Sequence, residues 1–146
     1  MKMVLLSHVA TTWTLVGLIW TIQCVHYPMF RWVGREAFAR CHAAHTQQIS
    51  WLVGPLMLLE VAVAGWLFWL GLRDLLFVSG LLCLAAVWIS TGLIQVPLHD
   101  RLSQGYDAEL VERLIRSNWI RTIAWTVRAV LLTWGLANGL DLLAEV

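Results

Sequence analysis

The sequence predicts an all-α integral membrane protein: one four-transmembrane-helix domain over residues 1–146, with interfacial helices between spans one and two and between spans three and four. Three observations predict it. The chain is 60% hydrophobic and 13% charged, with a mean hydropathy of +0.72, against the half-apolar, quarter-charged makeup of soluble domains. Four apolar stretches, residues 4–25, 49–71, 75–96 and 119–140, each approach the ~20 residues a helix needs to cross a bilayer. Arginines gather in two of the three connections and leave the third nearly bare.

A secretory signal peptide is the rival reading of the first stretch. The apolar run is long, and HYPMFRW follows it in place of a small-residue cleavage site, so it reads as a helix. After it, Phe30, Val33 and Phe38 interleave with Arg31, Arg35 and Arg40, a mixed face suited to the headgroup layer. The second span runs to the tight turn Gly71-Leu72-Arg73-Asp74, and the third follows at once. Leu110 and Leu114 with Glu109, Glu112, Arg113 and Arg116 predict a second interfacial helix before the fourth span. Lys and Arg in short loops favour the cytoplasmic side. Arg31, Arg35, Arg40, Arg101, Arg113 and Arg116 share one side and only Lys2 and Arg73 the other, so both termini are expected outside the cytoplasm, in a bacterial inner membrane.

Several function classes fall away. Cys24, Cys41 and Cys83 are too few and too dispersed for a disulfide framework and read as reduced thiols in packed positions. No nucleotide loop, CxxC zinc pair or nucleophile elbow is present, and a net charge of +1 makes no case for nucleic acid.

The histidines carry the first functional signal. His26 ends the first span, His42 and His45 lead into the second, and His99 with Asp100 ends the third, so four of five imidazoles fall at one depth; His8 lies at the opposite end. The spacing of His42 and His45 puts both rings on one helical face, and imidazole suits iron, copper or zinc. Gln23 and Gln95 precede His26 and His99 closely enough to orient the rings. Three readings stay open: a metal ion on His26, His42, His45 and His99, a haem with axial histidines, or amphipathic side chains suited to the interface. Ile22-Gln23 and Ile94-Gln95, seventy-two residues apart, add a weak internal repeat of residues 1–72 and 73–146.

The second signal is charge inside the spans. Glu60 lies fifteen residues beyond His45, about 22 Å along a regular helix, too far to share one metal. Even a kink at Gly54-Pro55 does not close that gap. Asn118, Arg121, Trp125 and Arg128 step by three, four and three along one face of the last helix. Charge at membrane depth needs a partner or water, so Glu60 is expected to meet Arg128 in a buried polar layer. Thr122, Thr126, Ser90, Thr91 and Gln95 make the inner half of the bundle its polar half. Of ten tryptophans, Trp32, Trp51, Trp119, Trp66 and Trp69 read as interface anchors. Trp20, Trp88 and Trp125 lie deeper, as lipid-facing or core groups or as walls for a flat ligand such as a quinone, polyketide or porphyrin.

The runs HYPMFRWVG, CHAAHTQQISWLVGPLMLLE, VPLHDRL and SNWIRTIAWTVR resemble a group of small four-helix bacterial membrane proteins. The hydropathy, the proline-polar ending of the third span and the Trp/Asn/Arg segment of the fourth are similar to the anthrone-oxygenase-like membrane family. That resemblance covers most of the chain and implies oxidation of a cyclic organic substrate, with Pro97, His99, Asn118 and Arg121 at the matching positions. No catalytic residue rests on it.

Two functions emerge, with a third in reserve. As a membrane oxidoreductase or oxygenase, the chain would hold a metal ion on its four histidines and use Arg121 or Arg128 to bind an anionic group of a lipophilic substrate. As a small proton-coupled transporter, it would use the Glu60 and Arg128 layer, histidines that titrate near neutrality, and oligomerisation to complete a path. The reserve is a scaffold subunit of a membrane complex. Glu60, Arg121 and Arg128 are the candidate catalytic residues, and the lipid bilayer, a lipophilic small molecule and further copies of the chain are the expected partners.

Overall fold

The computed structural model describes the backbone of residues 2–144 and the side chains of residues 3–138. Within them the chain is helical, in four long rods. The first, α1, comprises Lys2–Thr21, a π-helical turn Ile22–His26, one α turn Tyr27–Met29 and a 3-10 turn Phe30–Trp32. The second, α2, is Arg35–Trp69, uninterrupted by Pro55. The third, α3, comprises Leu75–Ser90, a π turn Thr91–Gln95 and Val96–Leu102. The fourth, α4, is Ala108–Ala144. Three of these, α1 to α3, are long and apolar enough to cross a membrane. In α4, Asn118, Arg121 and Arg128 interrupt the apolar run.

Local chemistry explains where the rods start and stop. The Asp74 carboxylate accepts the Phe77 N–H at 3.0 Å and caps α3; Asp107 does the same for Leu110 at 3.0 Å and starts α4. At the end of α2, Gly71 takes φ +97. The Leu72 N–H then reaches the Leu67 carbonyl and the Gly71 N–H that of Phe68, both at 3.1 Å, an arrangement only glycine enters without strain.

Of the mixed segments expected as separate interfacial helices, Phe30 and Arg31 lie in the last turn of α1, Val33 lies between the rods, Arg35, Phe38 and Arg40 are in the opening turns of α2, and Glu109 to Arg116 are in those of α4. No Pro or Gly lies between Arg35 and Ile49 or between Glu109 and Trp119. A helix once nucleated therefore propagates into the apolar run at little cost.

The two π turns share a cause. Pro28 and Pro97 each lack an N–H and would crowd the carbonyl four residues back. In both rods the residue just before the proline bonds five residues back instead, Tyr27 N–H to the Ile22 carbonyl and Val96 N–H to that of Thr91. Each such turn inserts one residue and rotates the rest of its rod by about 100° relative to a continuous α-helix.

Packing is uneven around the bundle. α3 lies along α4, α4 along α1, and α1 along α2, whereas α2 meets α3 chiefly through the latter's last segment, Val96–Leu102. The inner half is filled by Leu15, Ile19, Phe30, Phe38, Val87, Leu102, Leu114 and Trp125, the outer end by Val9, Leu67, Phe77 and Leu132. Outside, large apolar side chains such as Trp32, Trp51, Leu82, Leu93 and Trp134 are exposed all along the rods, as on a surface whose solvent is lipid. The three cysteines are free, but Cys24 and Cys41 lie on exposed faces, not in packed positions.

Candidate functional site

Two buried polar clusters sit in the bundle, one on each side of its middle. The outer cluster is built around the ion pair of Glu60 and Arg128, Nε to Oε1 2.9 Å, with both side chains 0% exposed. Glu60 also accepts from Thr12 Oγ1 at 3.0 Å and, at Oε2, from Trp125 Nε1 at 3.0 Å. Arg128 Nη1 donates to the Gly80 carbonyl at 2.7 Å and Nη2 to His8 Nε2 at 2.8 Å. A guanidinium only donates, so His8 is neutral here and carries its proton on Nδ1. The close approach depends on Gly80, where an added Cβ would stand 3.3 Å from Arg128 Nη1.

The inner cluster gathers all four expected histidines. His26 stacks on His45 with ring centres 4.2 Å apart, and His99 lies 5.9 Å from His45 and 5.1 Å from His42. Phe30 and Phe38 pack against these rings, Phe38 stacked on His42 at 5.7 Å. The rings do not form a ligand set: among the described residues, no three His, Cys, Asp or Glu side chains are arranged to hold a metal. They are joined by ring stacking and by a hydrogen-bonded pair, His42 Nε2 to His99 Nδ1 at 2.9 Å, in place of lone pairs aimed at one point. Gln23 and Gln95 do not orient histidines either. Gln23 accepts from Asn118 Nδ2 at 2.8 Å and donates to the Ile115 carbonyl, while Gln95 Nε2 donates to Ser117 Oγ at 3.2 Å.

Tyr27, to which no sequence pattern points, links the histidines to α4. Its hydroxyl lies 3.0 Å from His99 Nε2 and 3.3 Å from Arg121 Nη2. Arg121 is itself held by Asn118 Oδ1, 3.0 Å from its Nε. One order of protons, that of a neutral His99 with its proton on Nδ1, runs through all of these contacts in a single direction. Arg121 donates to the Tyr27 oxygen, and in this tautomer the phenol proton points at His99 Nε2. His99 then carries its proton on Nδ1 and gives it to His42 Nε2, which leaves His42 protonated on Nδ1, a buried atom with no partner. Arg121, Tyr27, His99 and His42 form a single directed chain. The π turns set it up: Tyr27 is the first residue after one, and Thr91, Gln95 and His99 lie in or just beyond the other.

A cavity of ≈ 370 Å³ opens where α2 and α3 part, and the chain ends in it. Its walls are apolar, with Leu15 and Ile19 from α1, Val53 and Met57 from α2, and Trp88 and Val96 from α3. Its polar end is made by Tyr27, Thr91, Gln95, His99 and Arg121. Leu58 and Val96 on the rim are exposed, so the cavity communicates with the surface between α2 and α3. Two side chains lining it carry buried atoms without partners, the Trp88 indole N–H and the Gln95 amide oxygen. Of the three charged residues expected to act, Arg121 belongs to this site, while Glu60 and Arg128 lie in the outer layer, joined to it by the hydrogen bond from Trp125 to Glu60. Trp88 and Trp125 wall the cavity, but Trp20 instead bonds Thr126 Oγ1 across α1 and α4 at 3.0 Å.

Compared with models of known protein families, with curated proteins and with solved structures, the chain matches none.

Proposed function

We propose that this is a membrane oxidoreductase-type protein that admits a lipophilic, ring-bearing small molecule from the bilayer through the gap between α2 and α3. All four rods span the membrane in this reading, α4 included, because its arginines face partners inside the bundle. The basic inner ends lie on the cytoplasmic side and both termini outside. The observation that carries the reading is the cavity itself, apolar along its length and closed at one end by the Tyr27, His99 and Arg121 groups. Ligand sites for such molecules take this form, with wide apolar walls and a few convergent polar atoms. An oxygen on the ligand would accept from Arg121 and Tyr27, and a hydroxyl would donate to Gln95 Oε1, which has no partner otherwise.

The chemistry of this chain's own residues is proton transfer. When the ligand releases a proton at Tyr27, the phenol passes one to His99 and His99 passes one to His42, each along a hydrogen bond already made. His26, exposed and stacked on His45, stands where the cluster meets solvent. The resemblance to the anthrone-oxygenase-like family would make the ligand a cyclic phenol or ketone oxidised by dioxygen, which takes the electrons while this chain's residues take the proton, and His99, Asn118 and Arg121 all lie at this polar end.

Binding of 2-hydroxy-1,4-naphthoquinone to the purified protein, read by tryptophan quenching and compared with a Trp88→Phe variant, tests the reading. The oxygenated ring is expected to bind at least tenfold more tightly than naphthalene. Tyr27→Phe and Arg121→Gln should each remove most of that preference, since each deletes a buried hydrogen bond to the ligand. Equal affinity for the two rings, or unchanged preference in both variants, would overturn it.

One observation favours a second reading, proton movement across the bundle. A crevice of ≈ 240 Å³ between the outer ends of α1 and α2 is bordered by His8 and Glu60, and Trp125 joins Glu60 to the inner cavity. In proteoliposomes, Glu60→Gln should then abolish proton uptake driven by a potential; uptake equal to that of the parent would dispose of this second reading.

A further inference from the structure

We propose a second ligand site, for the headgroup and upper acyl chain of an anionic phospholipid, in the groove between α3 and α4 at their inner ends. The groove holds ≈ 510 Å³ and is lined by Arg101 from α3 and by Arg113 and Arg116 from α4. All three arginines are exposed, and among the described residues none is in an ion pair. Two nitrogens of Arg31 hold the nearby Glu112 carboxylate, and Arg116 Nε reaches only the Glu112 backbone carbonyl, at 3.4 Å. Three cations left unpaired around one concavity form a receptor for a phosphate group, which guanidinium recognises by paired N–H donors.

The opposite wall decides that the phosphate belongs to a lipid. Leu93, 74% exposed, and Pro97 continue the groove along α3 away from the arginines. A free anion would leave that surface bare, whereas a phospholipid covers it with its chain while the headgroup meets the cations. Basic recesses between spanning helices on the positively charged side are where anionic headgroups bind. Ser117 on α4 lines the groove and accepts from Gln95, which lines the main cavity, so a single hydrogen bond connects the two sites. The site rests on the rods crossing the bilayer but not on any ligand in the main cavity.

Native mass spectrometry of the full chain in detergent with dioleoyl phosphatidylglycerol, against dioleoyl phosphatidylcholine, reads the site directly. The anionic lipid is expected to be retained preferentially. Each of Arg101→Gln, Arg113→Gln and Arg116→Gln should weaken retention about fivefold, and the triple variant about a hundredfold. Arg40→Gln, an exposed arginine outside the groove, should leave it unchanged. Because each single change is at an exposed position, the single variants carry the test even if the triple does not fold. Equal retention of the two lipids, retention unaffected by all three single changes, or full displacement of the lipid by millimolar inorganic phosphate would each overturn the proposal; the last would assign the groove to a free anion.

Discussion

The layer around Glu60 and Arg128 and the cluster around Tyr27 and His99 use similar side chains in one bundle, yet they differ in what is left unbonded. In the outer layer, both carboxylate oxygens and all three guanidinium nitrogens have partners, and only His8 Nδ1 is without one. In and beside the inner cluster, His42 Nδ1, His45 Nε2, Trp88 Nε1 and Gln95 Oε1 are buried without partners, and a cavity adjoins them. A network whose charged atoms each have a partner holds one arrangement and offers a ligand little beyond the His8 ring at the smaller crevice beside it. An unsaturated one beside a cavity is already desolvated where a ligand's polar atoms would arrive, so binding completes bonds without displacing others. Burial of charge alone would have ranked the outer layer first.

The largest expected effect breaks the outer layer. Arg128→Met strands the Glu60 carboxylate away from water and should cost about 3–5 kcal/mol, seen as a lower midpoint of thermal unfolding in detergent. Adding Glu60→Leu should recover part of that loss, limited by the Trp125 N–H and Thr12 hydroxyl then left without an acceptor. A double variant as unstable as the sum of the singles would deny that the pair is coupled.

Tyr27→Phe probes the contrast from the other side. Removing one hydroxyl should lower stability by only about 1 kcal/mol, because Arg121 keeps Asn118 and His99 keeps His42. The naphthoquinone preference should nevertheless fall by tenfold or more. A stability loss as large as that of Arg128→Met would mean the inner cluster is as much a structural clamp as the outer one.

Gly80→Ala sharpens the comparison further. The new methyl would press on Arg128 Nη1 at 3.3 Å, and an arginine held by three partners has little room to give. That crowding should outweigh the gain of about 1 kcal/mol from replacing glycine within a helix, so the single change is mildly destabilising. In the Arg128→Met background the sign should reverse. Equal effects in both backgrounds would contradict the close fit.

The smallest effect belongs to the exposed pair of Arg31 and Glu112, where Arg31 Nη2 donates to Glu112 Oε2 at 2.9 Å. The hydrogen bond from Arg31, with its charge, holds the Glu112 carboxyl below its usual 4.5. Whatever stability this confers is present above that pH and is lost as pH falls through the lowered value. Arg31→Gln should leave thermal unfolding at pH 7 within experimental error.

Much of this was legible in the sequence. The four rods were legible as helices from their apolar runs, two capping aspartates and a glycine, because periodicity and capping are local rules, although α2 and α4 begin before their runs and three of the four are apolar enough to cross a membrane. The Glu60 and Arg128 pair was legible because charge at membrane depth has few possible partners. The clustering of His26, His42, His45 and His99 followed from their common depth, but their depth could not say whether the rings would converge on a metal or stack. Three features depended on packing and stayed hidden. Tyr27 is re-aimed by a π turn that only the hydrogen-bond pattern reveals, although Pro28 hints at it. His8 is drawn to Arg128 from far along the sequence. The cavity exists because α2 and α3 diverge, a property of rod placement and not of either rod's residues.

The π turn of α1 has a genetic consequence. Losing one codon from the middle of a spanning helix ordinarily rotates everything beyond it and ruins the bundle. In α1 the surplus residue sits within Ile22–His26, and only a short segment, ending at Trp32, separates it from the next rod. Deleting Cys24, whose side chain is exposed, would let the backbone close as an ordinary α turn: the bond from the Tyr27 N–H to the Ile22 carbonyl would then span four residues in place of five, and Tyr27 would keep its place beside His99. A one-codon deletion there is absorbed by the turn itself, so this is the place in α1 where the bundle and the link between Arg121 and His99 would both outlast the loss of a residue.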